Sequence, residues 1–230
     1  MSIHEAILAK NHRLVRKILN ENPAAINNKR GMANYPLVTA FKSGNKELIN
    51  YLMQRPNLSQ SHLNAALMHA ISMKPELALN VVRRLLNRGA NVNTKIVAPW
   101  TPLSYASHEG KVNVVHELLK RGATKTRFAL VSIITKTAAP GHLQIIKMLI
   151  NAGIPINQKM LNMPMHTEVR KVINKEFQNA IERQRKALAT AALMDPLRNK
   201  GRSSRTNTVV QLPANIFRRI IGLANIKSEI

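Results

Sequence analysis

Residues 101–123 read TPLSYASHEGKVNVVHELLKRGA, a stretch typical of two short helices joined by a tight turn. Thr101 supplies an N-cap oxygen, and Pro102 sets the first helical φ where no backbone donor is needed. Gly110 allows the sharp turn between the antiparallel helices, and Gly122 is expected to end the second helix in the left-handed conformation. Apolar residues recur at helical spacing along the second helix: Val114, Val115, Leu118 and Leu119.

The same pattern recurs along the chain. A second copy, YPLVTAFKSGNKELINYLM, occupies residues 35–53, and weaker copies lie at 66–93, 141–153 and 3–27. Paired apolar residues near the end of each second helix are 34, 33, 33 and 31 positions apart: Leu19, Met53, Leu86, Leu119 and Ile150. This pattern resembles the ankyrin repeat, whose period is about 33 residues.

The resemblance implies an all-α fold, an ankyrin-repeat solenoid of about five repeats with hairpin fingers between them. Because no single repeat can bury its own apolar face, stability is shared between neighbours. Two features of the repeats carry expectations of their own, the first a departure from the pattern and the second an instance of it. An insertion at residues 73–76 should distort or lengthen the inter-helix loop of the third repeat. Gly141 should form the inter-helix turn of the fifth, as Gly44 and Gly110 do in the second and fourth.

The repeats are expected to fill residues 1–166, and a different pattern follows them. Residues 167–194 lack Gly and Pro, and an apolar stripe that includes Val169, Val172 and Ile173 predicts a helix that caps the last repeat. Asp195-Pro196 should end this helix, so the capping helix is placed at 167–195. A polar, basic linker is expected at 196–210.

The last segment, 211–230, is predicted to form a short amphipathic helix. Its Leu-Pro-x-x-Ile-x-x-x-Ile-x-x-Leu spacing is carried by Leu212, Pro213, Ile216, Ile220 and Leu223. It resembles the first helix of an F-box and the shortened F-box-like ends of ankyrin proteins from poxviruses and intracellular bacteria. The resemblance implies docking to a Skp-type adaptor of a cullin ubiquitin ligase. The alternative is a helix that packs on the solenoid or on a second copy.

Charge is the unusual bulk property: 35 Lys and Arg against 11 Asp and Glu give a net charge of +24. The basic excess occurs both in residues 1–167 and in residues 168–230. Such a field attracts nucleic acid, an anionic membrane or an acidic protein. A compositional bias that leaves only solvated basic faces is the remaining alternative.

Several kinds of chemistry are not expected. The chain has no cysteine, which excludes disulfides, cysteine nucleophiles and zinc-thiolate sites. The eight His form no ligand cluster, and there is no phosphate loop or nucleophile elbow, so no metal, cofactor or enzymatic activity is predicted. With no apolar h-region in residues 1–10 and no apolar run of membrane-spanning length, a cytoplasmic protein without a membrane span is expected.

Ankyrin proteins bind partners with their finger tips and the exposed positions of their inner helices, and the resemblance transfers that surface to this chain. Trp100 is the leading residue, because tryptophan is enriched in interface hot spots, although it could instead pack on the next finger. The finger candidates are Lys29, Arg30, Met32, Asn34, Lys95, Ile96, Val97, Trp100, Lys125, Arg127 and Phe128. The inner-helix candidates are Thr39, Lys42, His69, Met73, Tyr105, His108 and Lys136.

Two functions from different classes follow. The first is an adaptor, in which the groove holds a client with an acidic surface and the C-terminal helix docks a ubiquitin ligase component. By resemblance, it would be an effector acting in a host cell's cytoplasm or nucleus after delivery. The second is a basic scaffold that binds nucleic acid or chromatin. Phosphate contacts weaken steeply with salt, whereas an apolar helix contact does not.

Overall fold

A computed structural model of the protein describes residues 1–31, 34–95, 98–134 and 140–198. The chain divides into two units, Met1–Ala180 and Ile181–Ile230. Met32, Ile96, Val97, Lys136 and the predicted C-terminal helix with Leu212, Pro213, Ile216, Ile220 and Leu223 lie outside the described residues.

Five helix pairs succeed one another in the described part of the first unit, so the all-α solenoid is confirmed. They are α1 (Ile3–Leu8) with α2 (His12–Glu21), α3 (Pro36–Ser43) with α4 (Lys46–Gln54), α5 (Gln60–Ile71) with α6 (Pro75–Asn87), α7 (Pro102–His108) with α8 (Val112–Lys120), and α9 (Arg127–Ile134) with α10 (Pro140–Asn151). A 3-10 helix, Pro23–Asn27, follows α2, and a short helix α11, Gln158–Leu161, precedes the long helix α12. No β-strand occurs in the described residues, so their connecting segments are irregular rather than paired hairpins.

The first helices of the pairs form one layer. In this layer α1 contacts α3, α3 contacts α5, α5 contacts α7, and α7 contacts α9. In the second layer α8 contacts both α6 and α10. Ala40, Ala70 and Ala106 of the first layer are completely buried, because small side chains let neighbouring first helices approach closely. The core between the layers consists almost entirely of Leu, Ile, Val and Ala.

Local geometry agrees with the sequence in the fourth pair. The Thr101 hydroxyl accepts a hydrogen bond from the Ser104 N–H, and the Ser104 side chain in turn caps the Thr101 backbone. Gly110 and Gly122 have φ of +68° and +79°, the left-handed region that favours glycine. The expectation for Gly141 is wrong, because it is the second residue of α10 rather than a turn residue.

The insertion in the third pair lengthens helices rather than their loop. Only residues 72–74 separate α5 from α6, the same number that separates α7 from α8. The extra residues are instead helical, and α6 begins at Pro75 with 13 residues, against nine in α4 and in α8. Proline at the first helical position needs no N–H acceptor and favours an earlier helix start. The expected distorted or longer loop is therefore wrong.

The long helix α12 spans Thr167–Arg198. It begins where the sequence predicted, and the side chains of Val169 and Ile173 are buried in the apolar core of the first unit. It ends three residues beyond the predicted stop at Asp195. Pro196 removes its own N–H from the hydrogen-bond ladder, but residues after it can still continue the helical turn.

Three arginines tie successive second helices together. Arg55, Arg88 and Arg121 are the C-cap residues of α4, α6 and α8, at intervals of one repeat. Arg55 donates to the Leu19 carbonyl, Arg88 to the carbonyls of Met53 and Arg55, and Arg121 to the Asn87 side chain. Each guanidinium thus reaches the C-terminal end of the preceding second helix, where a cation is favoured by the helix dipole.

Glu117 joins the third and fourth pairs through a buried carboxylate. Its Oε2 accepts from Arg83 Nε at 2.9 Å, and its Oε1 accepts from Arg121 Nε at 2.9 Å. The carboxylate side chain is only 6% exposed, whereas both arginines are partly solvated. The hydrogen bond from Arg83, helped by that from Arg121, lowers the pKa of Glu117, so the charged form persists into acid.

Replacing Glu117 by Gln should therefore lower the melting temperature by several degrees. The change weakens two charge-assisted hydrogen bonds, worth roughly 1.5–3 kcal/mol each, and 1 kcal/mol shifts Tm by about 2–4 °C at this size. Calorimetry checks the shift, with the exposed Glu76→Gln on α6 as the matched control. An unchanged Tm for E117Q would mean that the ion pairs do not couple the repeats.

His62 is a buried histidine that the sequence analysis did not single out. Its Nε2 accepts a hydrogen bond from the Leu37 N–H at 3.2 Å, and its ring stacks on Tyr35 with centroids 4.8 Å apart. Burial lowers the pKa of His62 to about 3. The ring is neutral at pH 7 and holds the start of α3 against α5.

Stability should fall as the pH drops below 6.5. The unfolded chain then takes up a proton on His62 while the folded ring, with its pKa near 3, does not. Between the two pKa values, this one histidine lowers the free energy of unfolding by up to about 1.4 kcal/mol for each pH unit of acidification. In thermal melts between pH 7.5 and 5, we expect His62→Gln to flatten the dependence of Tm on pH. The exposed His116→Gln should leave that dependence unchanged, and equal slopes for all three proteins would contradict this assignment.

Candidate interaction surface

The first helices and the segments that connect one pair to the next form a continuous face, here called the groove face. Its most distinctive feature is an aromatic cluster centred on Trp100. The Trp100 ring makes edge-to-face contacts with Tyr105, His108 and Phe128, at centroid distances of 5.9, 5.0 and 5.0 Å. All four side chains are half-buried, so each keeps part of its surface accessible to a partner.

Neighbouring repeats hold this cluster in place. The Tyr105 hydroxyl lies 2.8 Å from the Ser72 hydroxyl at the end of α5. His108 Nδ1 lies 3.2 Å from a carboxylate oxygen of Glu109. Lys111 Nζ donates to the Met73 carbonyl at 2.9 Å, which further ties the fourth pair to the third. Aromatic rings that neighbouring repeats position in this way offer contact area at a small entropic cost.

Basic side chains surround the cluster along the groove face. The exposed cations of the first helices and connecting segments are Lys29, Arg30, Lys42, Lys95, Lys125 and Arg127. Between residues 22 and 134 these same elements contain no Asp or Glu; the acids of that stretch lie on the second helices or at Glu109, the C-cap of α7. The described part of the groove face therefore carries a positive charge, and almost no acidic residue on the same face neutralises it.

Two of the predicted binding residues have other places. Thr39 is buried at 3% exposure, and its hydroxyl lies 2.7 Å from His4 Nδ1, so it cannot contact a partner. Met73 lies between α5 and α6 and lines a cleft on the second-helix layer instead of the groove face.

His69 is half-buried, and burial, with the nearby Lys42 charge, lowers its pKa. The Arg30 N–H donates to the Asn34 carbonyl at 3.0 Å and closes the first connecting segment.

A second group, made of arginines around Tyr51 and Asn50, lies on the second-helix layer and was not predicted from the sequence. The guanidinium carbons of Arg16 and Arg55 lie 5.3 and 5.4 Å from the centroid of the Tyr51 ring. Arg84 Nη1 donates to the Asn50 side chain at 2.8 Å. The spacing of Tyr51 and Arg55, one helical turn apart, was visible in the sequence, but Arg16 and Arg84 come from other repeats.

Two kinds of feature are absent from the described residues. No helix among them is long and apolar enough to span a membrane. No group of three or more His, Asp or Glu side chains among them could hold a metal ion.

Comparisons with known proteins agree with this architecture. The matching family model is that of ankyrin repeats in three copies, which aligns with residues 3–96 and 78–160. An ankyrin repeat domain from Acinetobacter baumannii AYE is similar in structure, with 20% identity, a TM-score of 0.59, and coverage of 77% of this chain and 94% of that one. The human ASB11 ankyrin repeat domain is 21% identical, with a TM-score of 0.55 and coverage of 76% and 81%. No curated protein sequence matches the chain.

The helix pairs recur at a nearly constant interval and stack in two layers, and the ankyrin-repeat family model matches most of the chain. The chain therefore belongs to the ankyrin-repeat family.

Proposed function

We propose that this protein is a non-enzymatic scaffold whose groove face holds a client protein with an acidic surface. The observation that carries the proposal is the pairing of a half-buried aromatic cluster with exposed cations on elements without acidic residues between residues 22 and 134. Ankyrin repeats are protein interaction modules, and no catalytic family matches the chain. The aromatic rings supply contact area, and the cations select the charge of the partner.

Charge complementarity at this face acts mainly on association. Lys95 and Lys125 lie on connecting segments, Arg127 is the first residue of α9, and all three side chains are exposed. Solvated charges of this kind steer an oppositely charged partner but add little to the final affinity. Most of the binding free energy should therefore come from Trp100 and Tyr105, whose rings can be desolvated at the centre of the contact.

The groove proposal predicts that Trp100→Ala and Tyr105→Ala each weaken client binding by roughly 2 kcal/mol or more. The client is first recovered by pull-down with the full chain, and its affinity for each variant is then measured calorimetrically. Tyr51→Ala, which removes a ring from the second-helix layer, is the matched control. Client binding at wild-type affinity by a folded W100A/Y105A double variant would place the site elsewhere.

A nucleic-acid scaffold is the second candidate, and the net charge of +24 favours it. The two candidates differ in salt dependence, because neutralising phosphates releases counterions and makes the affinity fall steeply with salt. A mixed-sequence DNA duplex and the recovered client can be titrated between 50 and about 200 mM salt. Tight duplex binding with a steep slope, and no client capture, would favour nucleic acid over the groove proposal.

We further propose that residues 211–230 dock a Skp-type adaptor of a cullin ubiquitin ligase, which would make the scaffold an adaptor for its client in a host cell's cytoplasm or nucleus. The support is the Leu-Pro start and the spacing of Ile216, Ile220 and Leu223. Burying each large apolar side chain of this stripe is worth about 1.5–3 kcal/mol, so some surface must cover it.

Changing Ile216 and Ile220 to Asp distinguishes docking from packing. For a docking helix we expect adaptor capture to be lost in a pull-down while the melting temperature hardly changes. A helix that packs on the repeats would instead lower Tm by several degrees, since 1 kcal/mol shifts it by about 2–4 °C. A large loss of stability without adaptor capture by the wild-type chain would end the adaptor proposal and leave the groove proposal standing.

A further inference from the structure

Four arginines from three repeats contact α4 or belong to its C-terminal end, on the layer opposite the groove face. The guanidinium carbons of Arg16 and Arg55 both lie within 5.4 Å of the Tyr51 ring centroid, so the two groups are no farther apart than the sum of those distances. Arg84 donates to Asn50, the residue before Tyr51. Arg88 donates to the backbone carbonyl of Arg55 itself. We call Arg16, Arg55, Arg84 and Arg88 the arginine cluster.

No carboxylate of the described residues forms an ion pair with this cluster. Two carboxylates close to it in sequence pair with other groups: Glu47 lies 3.7 Å from His12 Nδ1, and Glu21 lies 3.9 Å from Lys17 Nζ. In the third and fourth repeats, by contrast, Glu117 neutralises the neighbouring arginines. The charges of Arg16 and Arg55, both held at the Tyr51 ring, repel one another, and an anion bound between them would relieve that repulsion.

The cluster also keeps donors available. An arginine has five N–H donors in a rigid planar fork. Arg55 and Arg84 each use one N–H donor in a hydrogen bond to another residue. Arg16 is exposed, and its guanidinium group lies over the face of the Tyr51 ring, a contact that uses no N–H donor. Guanidinium forks of this kind match the oxygen geometry of a phosphate group, and stacking on Tyr51 orients two of them beforehand.

An apolar cleft adjoins the cluster. It lies between α4 and α6 with a volume of about 160 Å³, and Ile49, Met73, Leu77 and Val81 line it together with Lys46 and Arg84. The additional N-terminal turn of α6 contributes Leu77 to this wall. Proteins bind the bases of single-stranded nucleic acid by stacking them on aromatic side chains, and no aromatic side chain of the described residues lines this cleft. A peptide can place a phosphate on the arginines and an apolar side chain in the cleft beside them.

We propose that the arginine cluster and the α4–α6 cleft bind a phosphorylated segment of a partner protein. The phosphate lies on Arg16 and Arg55 beside Tyr51, an apolar residue packs against Leu77, and Arg84, which contacts Asn50 and lines the cleft, binds the segment between them. The site is independent of the groove face and can be occupied together with it. A doubly charged phosphate with three acceptor oxygens is the ligand that multiple guanidinium forks recognise.

The experiment uses the full chain and an array of short peptides with a central phosphoserine and varied flanking residues, beside the same array with serine. We expect retention of phosphorylated peptides that carry an apolar residue near the phosphoserine, and no retention of their serine counterparts. Fluorescence anisotropy of the best peptide then measures the variants. Arg16→Lys and Arg84→Lys keep the charge and the fold, and each should weaken binding about tenfold by removing the planar fork.

Three controls separate this site from general charge attraction and from the groove. Lys120→Ala with Lys147→Ala removes two exposed charges from α8 and α10, second helices that carry no member of the arginine cluster, and should leave the affinity unchanged. Leu77→Ser should weaken the peptide but not inorganic phosphate, whose binding is followed on the arginine Nε signals by NMR. W100A should bind the phosphopeptide like the wild type, so failure here leaves the groove proposal untouched.

The proposal is overturned by any of three results. The first is the absence of phosphorylation-dependent retention on the array. The second is an equal loss of affinity in the K120A/K147A variant, which would reduce the effect to net charge. The third is binding of a single-stranded oligonucleotide that depends on Arg16 and Arg84 while the phosphopeptides are not retained, which would assign the cluster to nucleic acid.

Discussion

Each helix pair of this chain can bury its apolar side only against the next pair, and the rest of the structure depends on that constraint. The contact between first helices is close because alanines such as Ala40, Ala70 and Ala106 stand where they meet. Once the first helices are in register, the second helices must follow at the same interval. Stability is then a sum over neighbouring interfaces, so a change at one interface is felt locally.

Polar contacts between repeats follow the same period. The arginines at the C-caps of α4, α6 and α8 each reach back to the preceding helix, and Glu117 neutralises two of the cations in the fourth repeat. His62 serves an equivalent role in the first layer as a neutral, buried ring. Part of the high positive charge therefore has a structural use, because these side chains satisfy helix ends that would otherwise face water alone.

The remaining charge is divided between two surfaces of different chemistry. On the groove face, mainly lysines lie beside aromatic rings and keep their hydration, which suits the steering of an acidic protein. On the second-helix layer, arginines are oriented by Tyr51, Asn50 and backbone carbonyls beside an apolar cleft, which suits a defined anion on a peptide. A scaffold with both surfaces could hold a client on one side while the phosphorylation of a second partner controls recruitment on the other.

The sequence by itself determined the repeat: its interval, the Thr101-Pro102 helix start, the glycine turns at Gly110 and Gly122, and the apolar core all follow from local patterns that neighbouring residues enforce. It also placed Trp100, Tyr105 and His108 at positions that the fold brings together. Tertiary structure alone decided that the insertion of the third repeat lengthens α6, that Thr39 is buried against His4, that Arg16 contacts Tyr51 and that Arg84 donates to Asn50. Those outcomes depend on contacts between side chains about one repeat apart in sequence. The stacking of the repeats sets these contacts, so the sequence of a single repeat contains no pattern that predicts them.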